Sequence, residues 1–505
     1  MHAMIRRCAA ATAALLSLSG PTSALDWPMF GRDLEHSFSN PGSGIDRSNV
    51  ALLQEVWSFP TADAVTASPA VVDGVVYVGS WDGAFYALDA ATGAVKWSFP
   101  VDCQETVQPI PARCPGGPSA PADRVETDGG LITSSAAVVD GKVYFAGGKT
   151  VYCLNAGDGS LVWKRVVCGN PEAPDCENDA QDPTRVFASP AVSRNRVIVG
   201  HTTDGDRAED MLYRGGIVAL DARTGRLRWR FEVDPVLDAN GKPVRVRGKI
   251  VGRNRSCGPV WSSAAIDQKR GLAFLGTGDC GFDAPPPYHE AILALRVTTG
   301  RLRWAYRPRQ GDTCDFDFGA SANLIDVGSE RWVGVGGKDG TYYVLNRVAR
   351  NPGGELVWRS NVVFGGFAGG FVASTAFDGT RVYGGTAFGE LGNPDGACDP
   401  NDPRDTPFQQ PTMHAFDPVA RTVAWQQDGA PALGASSVAN GVVFVGTPAP
   451  PSLRAFDAVT GSPLAAFPMA GAVNSSAALV GDALFVGSGN SNDGSGGGVH
   501  ALRAP

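Results

Sequence analysis

Two aspartates stand one residue apart in the stretch TCDFDFGA, Asp315 and Asp317. On an extended strand such residues project to the same face, so the spacing predicts two carboxylates side by side. Two ionised carboxylates at close range are costly unless a proton or a cation is shared between them. A carboxylate kept ionised in that setting can take a proton from a hydroxyl group as a general base. Lys338 stands in VGGKDG, and Asp279 closes the motif GTGD. A second set of acids, Asp204, Asp206, Glu209 and Asp210, crowds the stretch TDGDRAED. Trp261, in GPVWSSAAID, offers an indole face broad enough for a flat ligand. Each also has an ordinary reading: an acidic strand edge, a solvated turn lysine, a solvated acidic loop, a tryptophan that only packs.

A repeat supplies the elements that must position these residues. ALDAATGAVKWSF occupies 87–99 and ALDARTGRLRWRF returns at 219–231, with weaker echoes to AFDAVTGSPLAAF near the C-terminus. Each copy follows a second pattern such as SPAVVDGVVYVGS (68–80) or SSAAVVDGKVYFAGG (134–148). β-Branched apolar runs broken by DG, RN or NG read as strand, tight turn, strand. The phrase itself adds a third strand, a D-x-x-T-G turn and a fourth strand ending in Trp. Four strands per unit is the arithmetic of a propeller blade. Trp97, Trp163, Trp229, Trp304, Trp358 and Trp425 end six units, and Ala465 stands at that place in a seventh. An eighth begins at Asn474 and runs out one strand short, whereas VALLQEVWSF (50–59), with Trp57, is a fourth strand lacking the other three. Joining the two predicts an all-β, eight-bladed propeller over 25–505 closed by its N-terminal strand, with no open edge. The loops 101–130, 166–184, 232–260 and 389–411 are expected to rim one mouth.

Composition narrows the function classes. Arg6 and Arg7, a short apolar run and the small residues Thr22 and Ala24 have the pattern of a secretory leader cleaved near Ala24. The run is too short to span a bilayer, so a soluble periplasmic or secreted protein without a membrane anchor is expected. The chain carries 43 Lys and Arg against 51 Asp and Glu, a net charge of −8 that becomes −10 once Arg6 and Arg7 leave. That balance argues against nucleic acid, whose phosphates need a basic footprint. Nine of the 10 cysteines remain after the leader, and export favours disulfides. Cys103 with Cys114 and Cys168 with Cys176 would each close a short Pro-rich insertion; the other pairings stay open, and one thiol is left over. No C-x-x-C-H occurs, so a covalently attached haem is not expected.

The A-x-D-x-x-T-G-x-x-x-W phrase on an eight-bladed wheel resembles the pyrroloquinoline-quinone (PQQ) dehydrogenases. DWPMFGRDLEHSFSNP and the stretch running from GPVWSSAAIDQKRGLAFLGTGD through CDFDFGASANL to VGGKDGTYYVLN look most like the polyvinyl-alcohol dehydrogenase branch. The resemblance implies Trp261 as the floor for the quinone, Lys338 as the cation at its oxygens, and Thr66 at a further quinone contact. It implies Asp315, with Asp317 as its neighbour, as general base on an alcohol. It implies calcium held by Glu209 or Asp210 together with Asp279, since hard cations take oxygen ligands. Electrons would leave to a separate acceptor such as a cytochrome c. The sequence also departs from the family: the adjacent cysteine pair is missing, no arginine stands around Leu131–Thr133, and no tryptophan stands near Phe371. A propeller that kept the wheel and lost the cofactor, acting as an envelope scaffold or binding protein, is the alternative.

Overall fold

The computed structural model describes residues 26–101, 131–172, 182–203, 213–240, 242–253, 257–280, 287–309, 315–366, 369–387, 411–490 and 495–504. Blade 1 shows the unit: strands Ala70–Val72, Val75–Gly79, Ala84–Asp89 and Val95–Pro100, antiparallel and in chain order from the axis outward. Blades 2 to 7 repeat it over 137–166, 191–232, 265–306, 323–361, 376–427 and 437–468. Blade 8 takes Ala478–Val480, Ala483–Asn490 and Ser495–Arg503 from the end of the chain and Gln54–Thr61 from its beginning. The seal runs antiparallel from Gln54 opposite Arg503 to Thr61 opposite Gly497. The closing strand thus starts four residues later than the sequence suggests, because Val50–Leu52 forms a 3-10 turn. Within the basic loop 232–260 lies a small ribbon, Arg245–Val246 paired with Lys249–Ile250. Among the described residues no helix is long and apolar enough to cross a membrane.

The repeated phrase joins each blade to the next. Asp221 accepts hydrogen bonds from the amides of Arg223 and Thr224 and from the Thr224 hydroxyl, which pins the turn. Gly225 then adopts φ +66°, and the Trp163 ring of the preceding blade lies so close that a Cβ there would sit 2.6 Å from it. The Trp163 indole N–H donates to the Ala222 carbonyl at 3.0 Å. Trp57, Trp97, Trp229 and Trp425 repeat the bond to Ala90, Ala156, Val297 and Ala458. Trp57 makes it from the closing strand, so the seal carries the same clasp as any other blade junction.

Nearer the axis, a belt of serines precedes the innermost strands. The amide of Ser68 donates to Ser135 Oγ, Ser135 to Ser189, Ser189 to Ser263, Ser263 to Ser321 and Ser321 to Ser374, at 2.8–3.0 Å. Ser476 donates back to Ser68 at 2.9 Å. Ala435 holds the position in blade 7 and interrupts the belt. Beyond it, residues 27–38 cross the axis as a strap. The amides of Val71, Val138, Ile266, Leu324, Phe377 and Val438 donate to the carbonyls of Trp27, Pro28, Leu34, Glu35, Ser37 and Phe38 at 2.5–2.9 Å. Each donor is the second residue of an innermost strand, so the strap satisfies inner edges that would otherwise lack partners. It also floors the channel below the belt, leaving a cup on the opposite side.

Candidate active site

The lining of that cup follows from the repeat. Two places before each belt position stand Thr66, Thr133, Phe187, Trp261, Gly319, Val372, Leu433 and Asn474, in order from blade 1 to blade 8. All but Gly319 are partly exposed although both chain neighbours are buried. One arc is polar (Asn474, Thr66, Thr133) and the opposite arc apolar (Val372, Leu433), with Phe187 and Trp261 between them. The Thr66 hydroxyl accepts the Trp81 indole N–H at 2.8 Å. Asn474 Oδ1 is buried and has no hydrogen-bond partner among the described residues.

Gly319 is the exception because Trp261 covers it. A Cβ at Gly319 would lie 1.8–2.4 Å from three carbons of the Trp261 benzenoid ring. We predict that Gly319→Val destabilises the fold by about 1–3 kcal/mol, the usual cost of overpacking, measured by denaturant titration. Adding Trp261→Ala should recover most of that loss, and no recovery would show that the close approach is not what requires glycine.

The chemistry-bearing residues gather beside Trp261. Asp317 is buried; its Oδ1 accepts the Asp279 amide at 2.7 Å and its Oδ2 accepts the Trp261 indole N–H at 3.0 Å. The Asp317 carbonyl accepts the Lys338 amide at 3.0 Å. Lys338 is likewise buried, with Nζ 2.7 Å from Asp315 Oδ2 and 3.8 Å from Asp317 Oδ2. One carboxylate oxygen from each of Asp279, Asp315 and Asp317 falls within 4.8 Å of the others. Burial and the Asp317 charge push the Asp315 carboxyl up to about 8, against the pull of Lys338. Arg309 holds the segment from behind: it donates to the Phe316 carbonyl at 2.8 Å and lies 4.9 Å over the Phe316 ring. Its other arm reaches Asp339, beside Lys338, at 2.5 Å. Cys257 and Cys280 form a disulfide that flanks Trp261 and Asp279, with Cα atoms 4.8 Å apart.

The sequence placed Asp315 and Asp317 on an extended strand, and this is corrected. The segment is irregular, and Asp315 has φ +55°, a left-handed conformation that aspartate tolerates better than most residues. The two carboxylates still converge, but on Lys338 and through that bend. Lys338 lies in a turn as expected, yet it is buried and not solvated. Glu209 and Asp210 lie outside the described residues; among the described residues Asp279 is brought together with Asp315 and Asp317. The leader and the Cys103–Cys114 pair also lie outside; Cys168 is disulfide-bonded, but Cys176 is not described. Cys153 is a free, buried thiol. Thr133, Phe187, Val372, Leu433 and Asn474 were missed, although counting back two residues from each belt position finds them.

The profile described as the β-propeller domain of glucose, ethanol and alcohol dehydrogenases (PQQ) matches residues 27–359, and that of the outer membrane protein assembly factor BamB matches 343–504. The chain is 25% identical over 378 residues to the polyvinylalcohol dehydrogenase of Pseudomonas sp, covering 71% of this chain and 54% of that one. It is 27% identical over 383 residues to the dehydrogenase subunit of the alcohol dehydrogenase (quinone) of Komagataeibacter europaeus, covering 69% and 47%. The chain thus spans about half the length of the curated relatives it matches. Quinohemoprotein alcohol dehydrogenase from Comamonas testosteroni shares the fold, with a TM-score of 0.70 at 21% identity over 95% of this chain and 80% of that one. With the first profile matching well over half of its length across blades 1 to 5, the chain belongs to the PQQ-type β-propeller family of glucose, ethanol and alcohol dehydrogenases.

Proposed function

We propose that this protein oxidises an alcohol as a PQQ-dependent dehydrogenase and passes the electrons to a separate acceptor such as a cytochrome c. The observation that carries the reading is the meeting of Asp279, Asp315, Asp317 and Lys338 beside Trp261 at the mouth of the cup. The residues present fit the implied groups. Three carboxylates with oxygens this close suit a hard cation such as calcium, and Trp261 offers its ring at the lining. When bound, PQQ supplies the acceptor for the hydride of the alcohol.

The chain's own residues would do the rest. Asp315, tethered at one oxygen by Lys338 and a quarter exposed, takes the hydroxyl proton in its ionised form. That form predominates above about pH 8 and reaches lower pH when a cation is held beside it. Asp317 has both oxygens engaged, so it orients Trp261 and Asp279 and does not itself exchange protons. Lys338 offsets the charge gathered in the cluster. The strap lies below the belt, so substrate would enter from the opposite mouth. We further propose that the protein is exported to the periplasm or beyond, a reading supported by the leader-like N-terminus.

Purified protein given PQQ and calcium should develop the quinone absorption band and oxidise alcohols. Strong chelation should abolish activity and added calcium restore it. Asp279→Asn should raise the calcium requirement by at least the roughly 10–100-fold that loss of a group orienting a ligand costs, since here a ligand itself loses its charge. Activity indifferent to chelators would sink the cation assignment.

The scaffold reading has one observation in its favour. The BamB profile covers the blades that bring only Val372, Leu433 and Asn474 to the lining. It predicts neither a quinone band nor a thermal shift with PQQ and calcium.

A further inference from the structure

We propose that the Cys257–Cys280 disulfide is a positioning element of the site, holding Asp279 and Trp261 where both engage Asp317. The inference rests on the reading of the carboxylate cluster as a cation site. Cys280 directly follows Asp279, and Cys257 stands four residues before Trp261, so the bridge links the two segments that supply them. Those segments also meet through the Gly278 amide on the Pro259 carbonyl at 2.8 Å and the Gly258 amide on Cys280 Sγ at 3.1 Å. The second contact exists only while Cys280 stays against Gly258. Asp279 in turn donates its amide to Asp317, which accepts the Trp261 indole from the other segment. The result is a closed circuit: disulfide, Asp279, Asp317, Trp261, and back along the chain to Cys257.

Opening the circuit at the sulfurs removes the covalent tie one residue beyond Asp279 and leaves the amides of Gly278 and Asp279, on Pro259 and Asp317, to position the segment. An external dithiol can do this. It delivers two electrons and two protons, the S–S bond becomes two thiols, and the dithiol becomes its own disulfide. Cys257 is buried, whereas Cys280 is partly exposed and is the sulfur within reach. A purely structural disulfide would act differently, through the entropy of the unfolded chain. It would change the melting temperature and leave the folded site's affinity for cations unaltered.

The test uses the full chain. Calcium binding is measured by calorimetry, and terbium binding by its luminescence excited through tryptophan, on three samples: oxidised protein, protein reduced with dithiothreitol, and Cys257→Ser/Cys280→Ser. All are held well below their melting temperatures. The dissociation constant for calcium should rise on the order of 10–100-fold in the last two samples, the range seen when groups that orient metal ligands are lost. Terbium emission should fall with it, and reoxidation of the reduced protein should restore both. The serine variant separates this bridge from Cys168, which the dithiol also reaches. If it fails to fold, the reduced protein decides. Equal affinity in oxidised and reduced protein overturns the inference, as does unfolding of both altered samples. Oxidised protein that binds neither ion overturns the cation reading itself, and this inference with it.

Discussion

Asp315→Asn should lower alcohol turnover by about 10²–10⁴-fold, the usual worth of general-base help. The substitution keeps the shape of the side chain and one oxygen within reach of Lys338, but removes the proton acceptor. Binding of PQQ should fall far less, because Trp261 and Asp317 keep their hydrogen bond. Calcium binding should weaken as in Asp279→Asn, since Asp315 supplies one of the three carboxylates; turnover is therefore compared at saturating calcium. Asp317→Asn is the informative comparison. An amide has one oxygen where the carboxylate has two, so the Trp261 indole or the Asp279 amide loses its acceptor inside the protein. Its effect should therefore appear first in cofactor and cation affinity, with turnover at saturation affected less. Stopped-flow turnover beside equilibrium binding separates the two patterns. If the phenotypes are exchanged, Asp317 is the base; if both variants turn over normally, the mechanism is wrong.

Removal of residues 25–60 should abolish cooperative folding. It takes away most of the outer strand of blade 8, the Trp57 clasp onto blade 1 and the strap that serves six innermost strands. Single core truncations cost a few kcal/mol, against a typical total stability of 5–15 kcal/mol; a loss spread over seven blades exceeds that. Circular dichroism during heating should show no sharp transition. A second deletion, confined to 26–40, isolates the strap from the seal. A 25–60 deletion that melts at the temperature of the intact protein would falsify the closure.

The wheel was legible because its signals are local and repeated. The turn aspartate, the turn glycine and the blade-ending Trp each recur at fixed offsets, and the clasp they form needs only neighbouring blades. The strap was not legible as a floor. DWPMFGRDLEHSFSNP has no strand period, since its carbonyls meet one amide per blade and not a ladder. At the site, Asp315, Asp317 and Lys338 could be picked out as types, whereas their convergence depends on a left-handed residue that no spacing rule predicts. The link between Cys257 and Cys280 was equally closed to counting, with nine cysteines and many pairings. The lining positions lie within reach of the repeat, two residues before each belt position, but Thr, Phe, Val, Leu and Asn side chains carry no reactive group to mark them.

The seal of blade 8 also bears on time. Gln54 pairs with Arg503, so about 450 residues of chain separate the first edge from its partner. At roughly 5–20 residues per second of synthesis, the early strand waits about 20 to 90 seconds. The entropy of so long a closure grows only logarithmically with length, so the burden is kinetic: an edge without its neighbour for the whole of manufacture. The strand suits that wait. Its first three residues, Gln54, Glu55 and Val56, are solvent-facing in the finished wheel, and Glu55 and Pro60 are poor invitations to a stray β-partner. A nascent chain halted before Ser495 should therefore stay dispersed but protease-sensitive at its N-terminus, and become resistant only when its last strand is made.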